Sequence, residues 1–147
     1  MPDLTADAAC SQFIKPVHVA DPEERPPTLG ELLVEWARGR RLADRVAVGA
    51  LVAEGELLTR DQVRLALVVK EDGRLACDWE RLARRHCLIG ELSDAESVFL
   101  LFVLGVAQRS PISLARVGEL GERRLVLVLR ALAALAGSET VAVGVRT

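Results

Sequence analysis

The sequence predicts an all-α fold built from two related small helical modules packed together. Three observations predict it. Helix-capping residues repeatedly precede apolar residues spaced at helical intervals. Glycine and proline punctuate those stretches. Two stretches also resemble each other. Thr28-Leu29 runs through Arg40-Arg41-Leu42 to Gly49-Ala50-Leu51-Val52-Ala53, and Ser113-Leu114 runs through Arg123-Arg124-Leu125 to Leu132-Ala133-Ala134-Leu135-Ala136. Each follows a proline, Pro27 or Pro111, and each has a similar upstream opening, at Leu4-Thr5-Ala6-Asp7-Ala8 and Leu92-Ser93-Asp94-Ala95-Glu96. Arg40 and Arg123 lie 83 residues apart, Leu4 and Leu92 lie 88 apart, and loop-length change accounts for the drift. Periods of about 20–50 residues point to solenoids. This longer one points to duplicated small domains, residues 1–74 and 75–147.

Residues 4–14 carry a short helical pattern. Pro16, Pro22, Pro26 and Pro27, mixed with Asp21, Glu23 and Glu24, forbid a continuous helix and mark residues 15–27 as a loop. His18 is a loop residue there. Thr28 with Glu31 forms a capping box, and Leu29, Leu32, Leu33 and Trp36 share one face, so residues 28–38 are helical. Gly39 is the expected C-cap. A second helix covers residues 42–54 and stops at Gly55. Thr59 caps a third, with Val63, Ala66, Leu67 and Val69 inward, ended by Gly73. Residues 78–86 follow, with Trp79, Leu82 and Ala83 inward. Ser93 and Glu96 form a second capping box. The helix behind it, residues 94–109, is apolar all the way round from Val98 to Ala107. Such a helix is buried or forms an interface, so a charge placed at Leu101 is expected to be costly. Residues 113–120 and 122–136 complete the helical set, and only Arg130 interrupts the apolar run from Leu125 to Ala136. Residues 140–145 alternate weakly, as a strand or a frayed helix.

The chain has 147 residues, of which 50% are hydrophobic and 3% aromatic, so it can pack a core. Of 19 basic residues 17 are arginine, a bias that GC-rich coding produces. The net charge of −2 does not favour nucleic acid, whose partners usually present net basic surface. Three cysteines without framework spacing fit a reducing compartment. The first twenty residues lack the charged and apolar regions of a signal peptide. The longest apolar run is ten residues, whereas a membrane span needs about twenty. The expectation is a cytoplasmic protein without a membrane segment.

No phosphate-binding loop, paired cysteines or histidine pair points to an enzyme, a metal or another cofactor. Cys77, His86 and Cys87 lack a fourth ligand, and a buried Cys with a solvated His is the simpler assignment. The arginine groups at 38–41, 81–85 and 123–124 are either solvated helix ends or charged docking faces.

Two resemblances follow. Residues 92–118, the helix from Glu122 and a wing at 141–146 resemble a winged helix-turn-helix. That implies a DNA-binding or adaptor regulator from a GC-rich bacterium, with nucleic acid as partner in that case alone. Its recognition helix, Leu125-Val126-Leu127-Val128-Leu129, offers only Arg123, Arg124 and Arg130 to DNA. The other resemblance covers nearly the whole chain. Gly90-Glu91-Leu92-Ser93-Asp94-Ala95-Glu96 followed by Phe99-Leu100-Leu101-Phe102 is similar to the charged-then-apolar second helix of tandem death effector domains. The chain resembles in particular the short viral FLICE-inhibitory proteins of gammaherpesviruses. Residues 4–14 resemble the second helix of a first module whose first helix is missing. Residues 28–38, 42–54 and 57–69 resemble its fourth to sixth, and residues 113–125 and 126–137 the fourth and fifth of the second. The family's R-x-D-L signature is partly echoed in Arg60-Asp61-Gln62-Val63.

This resemblance implies a death-fold protein that docks homotypically without chemistry of its own. It would block receptor-triggered caspase activation and activate NF-κB signalling, in the host-cell cytoplasm if the source is viral. The partners implied are the adaptor FADD, an initiator procaspase and the regulatory subunit of the IκB kinase complex. The partner-binding positions carried over are Asp94, Glu96, Phe99, Arg60 and Asp61, with Asp7 and Phe13 as counterparts in the first module. Phe99 equally fits plain core packing.

Overall fold

The computed structural model describes residues 25–146. Among them are six α-helices and one hairpin: α1 (Leu29–Arg38), α2 (Leu42–Glu54), α3 (Asp61–Leu67), β1 (Val68–Glu71), β2 (Arg74–Cys77), α4 (Trp79–Arg85), α5 (Asp94–Gln108) and α6 (Gly121–Leu135). The protein is mainly helical. The helical pattern of residues 4–14 lies outside the described residues.

Both capping boxes are present. Thr28 Oγ1 accepts from the Glu31 amide at 3.2 Å while the Glu31 carboxylate accepts from the Thr28 amide at 3.0 Å. Ser93 and Glu96 repeat the arrangement at 3.2 and 3.3 Å. Each box satisfies two amides that a helix start otherwise leaves open. Asp78 caps α4 by accepting from the Arg81 amide. Gly55, at φ +79°, ends α2 in a conformation that side chains resist.

The core is one cluster drawing on all six helices and β2. The central helix is α2, which packs against α1, α5 and α6. Its buried face carries Val46, Ala47, Val48, Ala50 and Leu51. Its small residues let neighbours approach on several sides, which is why its apolar residues do not form one narrow stripe. The α5 helix lies beside it with Phe99, Leu100, Phe102, Val103, Leu104, Val106 and Ala107 buried. The expectation of a buried helix at 98–107 is met in part: Phe99, Leu100 and residues 102–107 are buried, but Val98 is only half-buried and Leu101 is 41% exposed.

Three elements depart from the helical expectation. Residues 68–77 form an antiparallel hairpin, not the end of a helix and a loop, with Val69 opposite Ala76 and Lys70 opposite Leu75. Val68-Val69 favours extended backbone. Asp72 and Gly73, at φ +51° and +78°, make the two-residue turn that Asp-Gly favours. Gly73 is thus a hairpin turn and not a helix stop. Thr59 sits in a three-ten turn, Leu57–Thr59, and α3 begins after Arg60 with no side-chain cap. Residues 110–120 run as a strap across α5 with only the three-ten turn Val117–Glu119. The Ser113 hydroxyl accepts from the Ala115 amide at 3.2 Å, a local bond that competes with helix. The first of the two similar stretches therefore folds as the α1–α2 pair, and the second as strap, turn and α6. Residues 141–146 have no regular structure.

Val103 is fully buried, so Val103→Asp should cost on the order of 3–5 kcal/mol. Leu101→Asp should cost under about 1 kcal/mol, as surface substitutions do. Urea denaturation of both variants checks the contrast, and equal losses would contradict the burial described.

Candidate functional site

Among the described residues three carboxylates are buried, and each meets arginine. Asp44, at the start of α2, accepts from Arg41 Nε at 3.2 Å, Arg40 Nε at 3.4 Å and the Trp79 indole N–H at 3.1 Å. Glu54, at the other end of α2, accepts from Arg124 at 3.1 Å and from the Leu57 amide at 2.8 Å, with Arg123 at 3.6 Å. Arg123 also donates to the Glu54 carbonyl at 2.7 Å, closing the end of α2. Glu96 accepts a bidentate pair of hydrogen bonds from the Arg60 guanidinium, at 3.0 and 3.1 Å. Arg41 reaches further and donates to the Ala107 carbonyl at the end of α5. The Arg40-Arg41 and Arg123-Arg124 groups are therefore neither free helix ends nor open docking faces. They hold the two ends of one buried helix.

Burial pushes the Glu96 carboxyl upward. Arg60 and the Ser93 cap outweigh it, so the group sits below the usual carboxylate range. Arg60 moves upward in turn, through its hydrogen bond to Glu96. Burial, with the Asp44 charge behind it, pushes the Cys77 thiol up to about 12.

The residues carried over from the family are dispersed. Arg60 and Glu96 join α3 to α5 as a structural pair, with the Glu96 side chain buried. Asp61 pairs with Arg64 on the surface. Asp94 is exposed at the start of α5, 3.9 Å from Arg116. Phe99 is fully buried and tilted against Phe102 with ring centroids 6.5 Å apart. It presents no atom to a partner, because the buried face of α5 runs through it. Asp7 and Phe13 lie outside the described residues.

One of several surface clefts, and a predominantly apolar one, runs along α5 and is roughly 320 Å³ in volume. Val98, Leu101, Leu104, Gly105 and Gln108 supply one wall at helical spacing, and Phe102, Leu120 and Val128 contribute to its lining. The strap supplies the opposite wall through Ile112, Leu114 and Val117, and His86 closes one side. Leu101, Leu114 and Val117 stand at 41%, 72% and 40% exposure, an apolar rim open to water. Gly105 makes the strap possible: a Cβ there would overlap Ile112 Cγ1. Arg116 is held by Glu119 at 2.7 Å, so the rim carries little free positive charge. His86 Nδ1 donates to the Ala83 carbonyl at 2.6 Å. Apolar walls with few polar groups are what small ligands and apolar segments of partners both require.

Sequence reasoning flagged the apolar residues of α5 but not the cleft. The available signal was Gly105 inside a helix, followed by Pro111 and Ile112. No family model matches the chain, and no curated protein or solved structure matches it either.

Gly105→Ala should displace Ile112 and cost about 1–3 kcal/mol, as overpacking does. A melting curve tests it, and a change near zero would mean that the strap yields freely. Glu96→Gln should remove stability at neutral pH. The wild-type contribution is complete above the unfolded carboxyl value of about 4.3 and is lost as pH falls through the lower folded value. The stability gap between wild type and variant should therefore close in acid. A gap independent of pH would contradict the pairing.

Proposed function

We propose that the chain is a non-catalytic interaction module that takes a short amphipathic helix of a protein partner into the cleft along α5. One observation carries this reading: an apolar rim of Leu101, Leu114 and Val117 stays open to water beside a pre-formed cleft. The α5 wall, residues 98–108, is about 15 Å long at 1.5 Å per residue, the length of two to three turns of a docked helix.

The finer form of this proposal follows the family resemblance. In it the halves are related death-effector-like modules, 1–74 and 75–147, acting in the cytoplasm. The partners are FADD, an initiator procaspase and the IκB kinase regulatory subunit. The outcome is blocked caspase activation with activated NF-κB signalling. Its support is the sequence similarity together with the exposed acids Asp61 and Asp94 at α-helix starts. It loses Phe99 as a contact, and it has Arg60 and Glu96 holding each other.

The helix-turn-helix alternative is disfavoured by a specific arrangement. Arg123 and Arg124 hold Glu54 and Glu56, and Arg130 donates to the Val143 carbonyl at 3.2 Å. The basic groups that would grip phosphate are occupied within the fold. No helix among the described residues is long and apolar enough to cross a membrane.

Leu114→Glu changes an exposed strap residue, so melting should shift little while capture of the three partners in pull-downs falls at least tenfold. Unchanged capture removes the cleft as the docking surface. No capture by wild type removes the finer partners. A mobility shift with duplex DNA that weakens steeply with salt would favour the helix-turn-helix reading.

A further inference from the structure

The helix that walls the cleft carries charge of opposite sign at its two ends. Asp94 lies one turn before Val98, on the face of α5 that lines the cleft, and is exposed. Its carboxylate is 3.9 Å from Arg116, another lining residue, but Glu119 already holds that guanidinium at 2.7 Å. Glu96 pairs with Arg60, and Glu91 adds its charge to the same group. The start of α5 thus gathers four carboxylates against two guanidiniums, an excess of two negative charges.

The other end is the reverse. Arg109 caps α5 in the left-handed region, at φ +54°, and is exposed between the lining residues Gln108 and Ser110. Arg41 reaches the Ala107 carbonyl, and Arg40 and Arg41 share the single carboxylate of Asp44. Three guanidiniums face one carboxylate there, an excess of two positive charges. The dipole of α5 calls for charges of these signs, but it amounts to only about half a charge at each end. Most of each excess therefore remains to act on whatever lies in the cleft. Between the two ends the rim is apolar, at Leu101, Leu114 and Val117.

A docked helix meets this pattern in one direction only. It needs cations beside Asp94 and carboxylates beside Arg109. A helix accepts carboxylates in its first turn and cations in its last, and the opposite placement works against its own dipole. Its first turn therefore belongs at Arg109. Asp94 and Arg109 are about 22 Å apart along α5 at 1.5 Å per residue, the length of about four turns.

We propose that the cleft selects a partner helix running antiparallel to α5, with carboxylates in its first turn beside Arg109, lysine or arginine in its last turn beside Asp94, and an apolar stripe between. This rests on the cleft being a docking surface. The charges set direction and partner choice, and the apolar rim supplies the contact area.

A synthetic alanine-based peptide of about four turns tests it. It carries leucines at i, i+4 and i+7, two glutamates in its first turn, two lysines in its last, a benzophenone at its first residue and a fluorophore at its last. Fluorescence anisotropy with the full-length chain at low ionic strength should show binding weakened at least about threefold by Asp94→Asn combined with Arg109→Gln, since exposed pairs are each worth a fraction of a kcal/mol. The melting curve of that variant should shift little. The difference should vanish in about 1 M salt, where the screening length is about 3 Å. Illumination should attach the benzophenone to residues 105–112. Equal affinity for wild type and the charge variant overturns the proposal, as does a peptide that fails to bind wild type. Attachment at residues 91–98 overturns the direction. A sedimenting dimer that excludes the peptide overturns it in favour of a second copy as occupant. If Leu114→Glu binds the peptide as tightly as wild type, the cleft itself fails as the docking surface. If Leu114→Glu abolishes binding while the charge variant leaves it unchanged, the cleft stands and only the charge selection is lost.

Discussion

The structure depends on a buried helix that carries a carboxylate at each end. Asp44 and Glu54 sit at opposite ends of α2, inside the core, where an unpaired charge is costly. Each has arginine as its solution. Removing one partner of a buried pair typically costs about 3–5 kcal/mol, because the other is left uncompensated. The ends of α2 therefore set where the α1–α2 turn, the turn at 55–57, the start of α4 and the start of α6 must lie. Apolar packing fills the space between these points, and the arginines fix their positions.

This explains the repeated Arg-Arg-Leu sequences in physical terms. Arg40-Arg41 precede α2 and Arg123-Arg124 lie in the first turn of α6, yet both act on α2, at Asp44 and Glu54 respectively. Arginine suits the task because its planar fork serves a carboxylate and a helix-end carbonyl together. Arg41 and Arg123 each do so, reaching Ala107 and Glu54 carbonyls. The nearly complete use of arginine among the cations thus has a structural use, whatever its genomic origin.

Much of the helical architecture was legible from local chemistry. Thr28 with Glu31 and Ser93 with Glu96 marked two helix starts, and the apolar run from Val98 to Ala107 marked the buried helix. Local chemistry also misled. Asp72-Gly73 after Val68-Val69 is a hairpin signal, but the preceding helical spacing hid it. Ser113 opened a turn where a helix start was expected. The clamps were not legible, since Arg60 and Glu96 are 36 residues apart and Arg124 and Glu54 are 70 apart. No periodicity within a segment connects groups so distant. The cleft was invisible for the same reason: its walls come from α5, the strap and the end of α4. Leu101 belonged to an apolar run, and only the placement of neighbouring elements left it at the surface.

The separation of Glu54 from Arg124 has a consequence for synthesis. At about 5–20 residues per second, the ribosome finishes α2 several seconds before it makes the arginines that complete its far end. Through that interval Glu54 has no cation from α6, and the α2 surface that α6 will cover is bare. The nascent chain must keep that end of α2 hydrated or shielded until translation reaches the last helix. A pause or truncation upstream of Gly121 would prolong that exposure, making the order of manufacture a constraint on the fold.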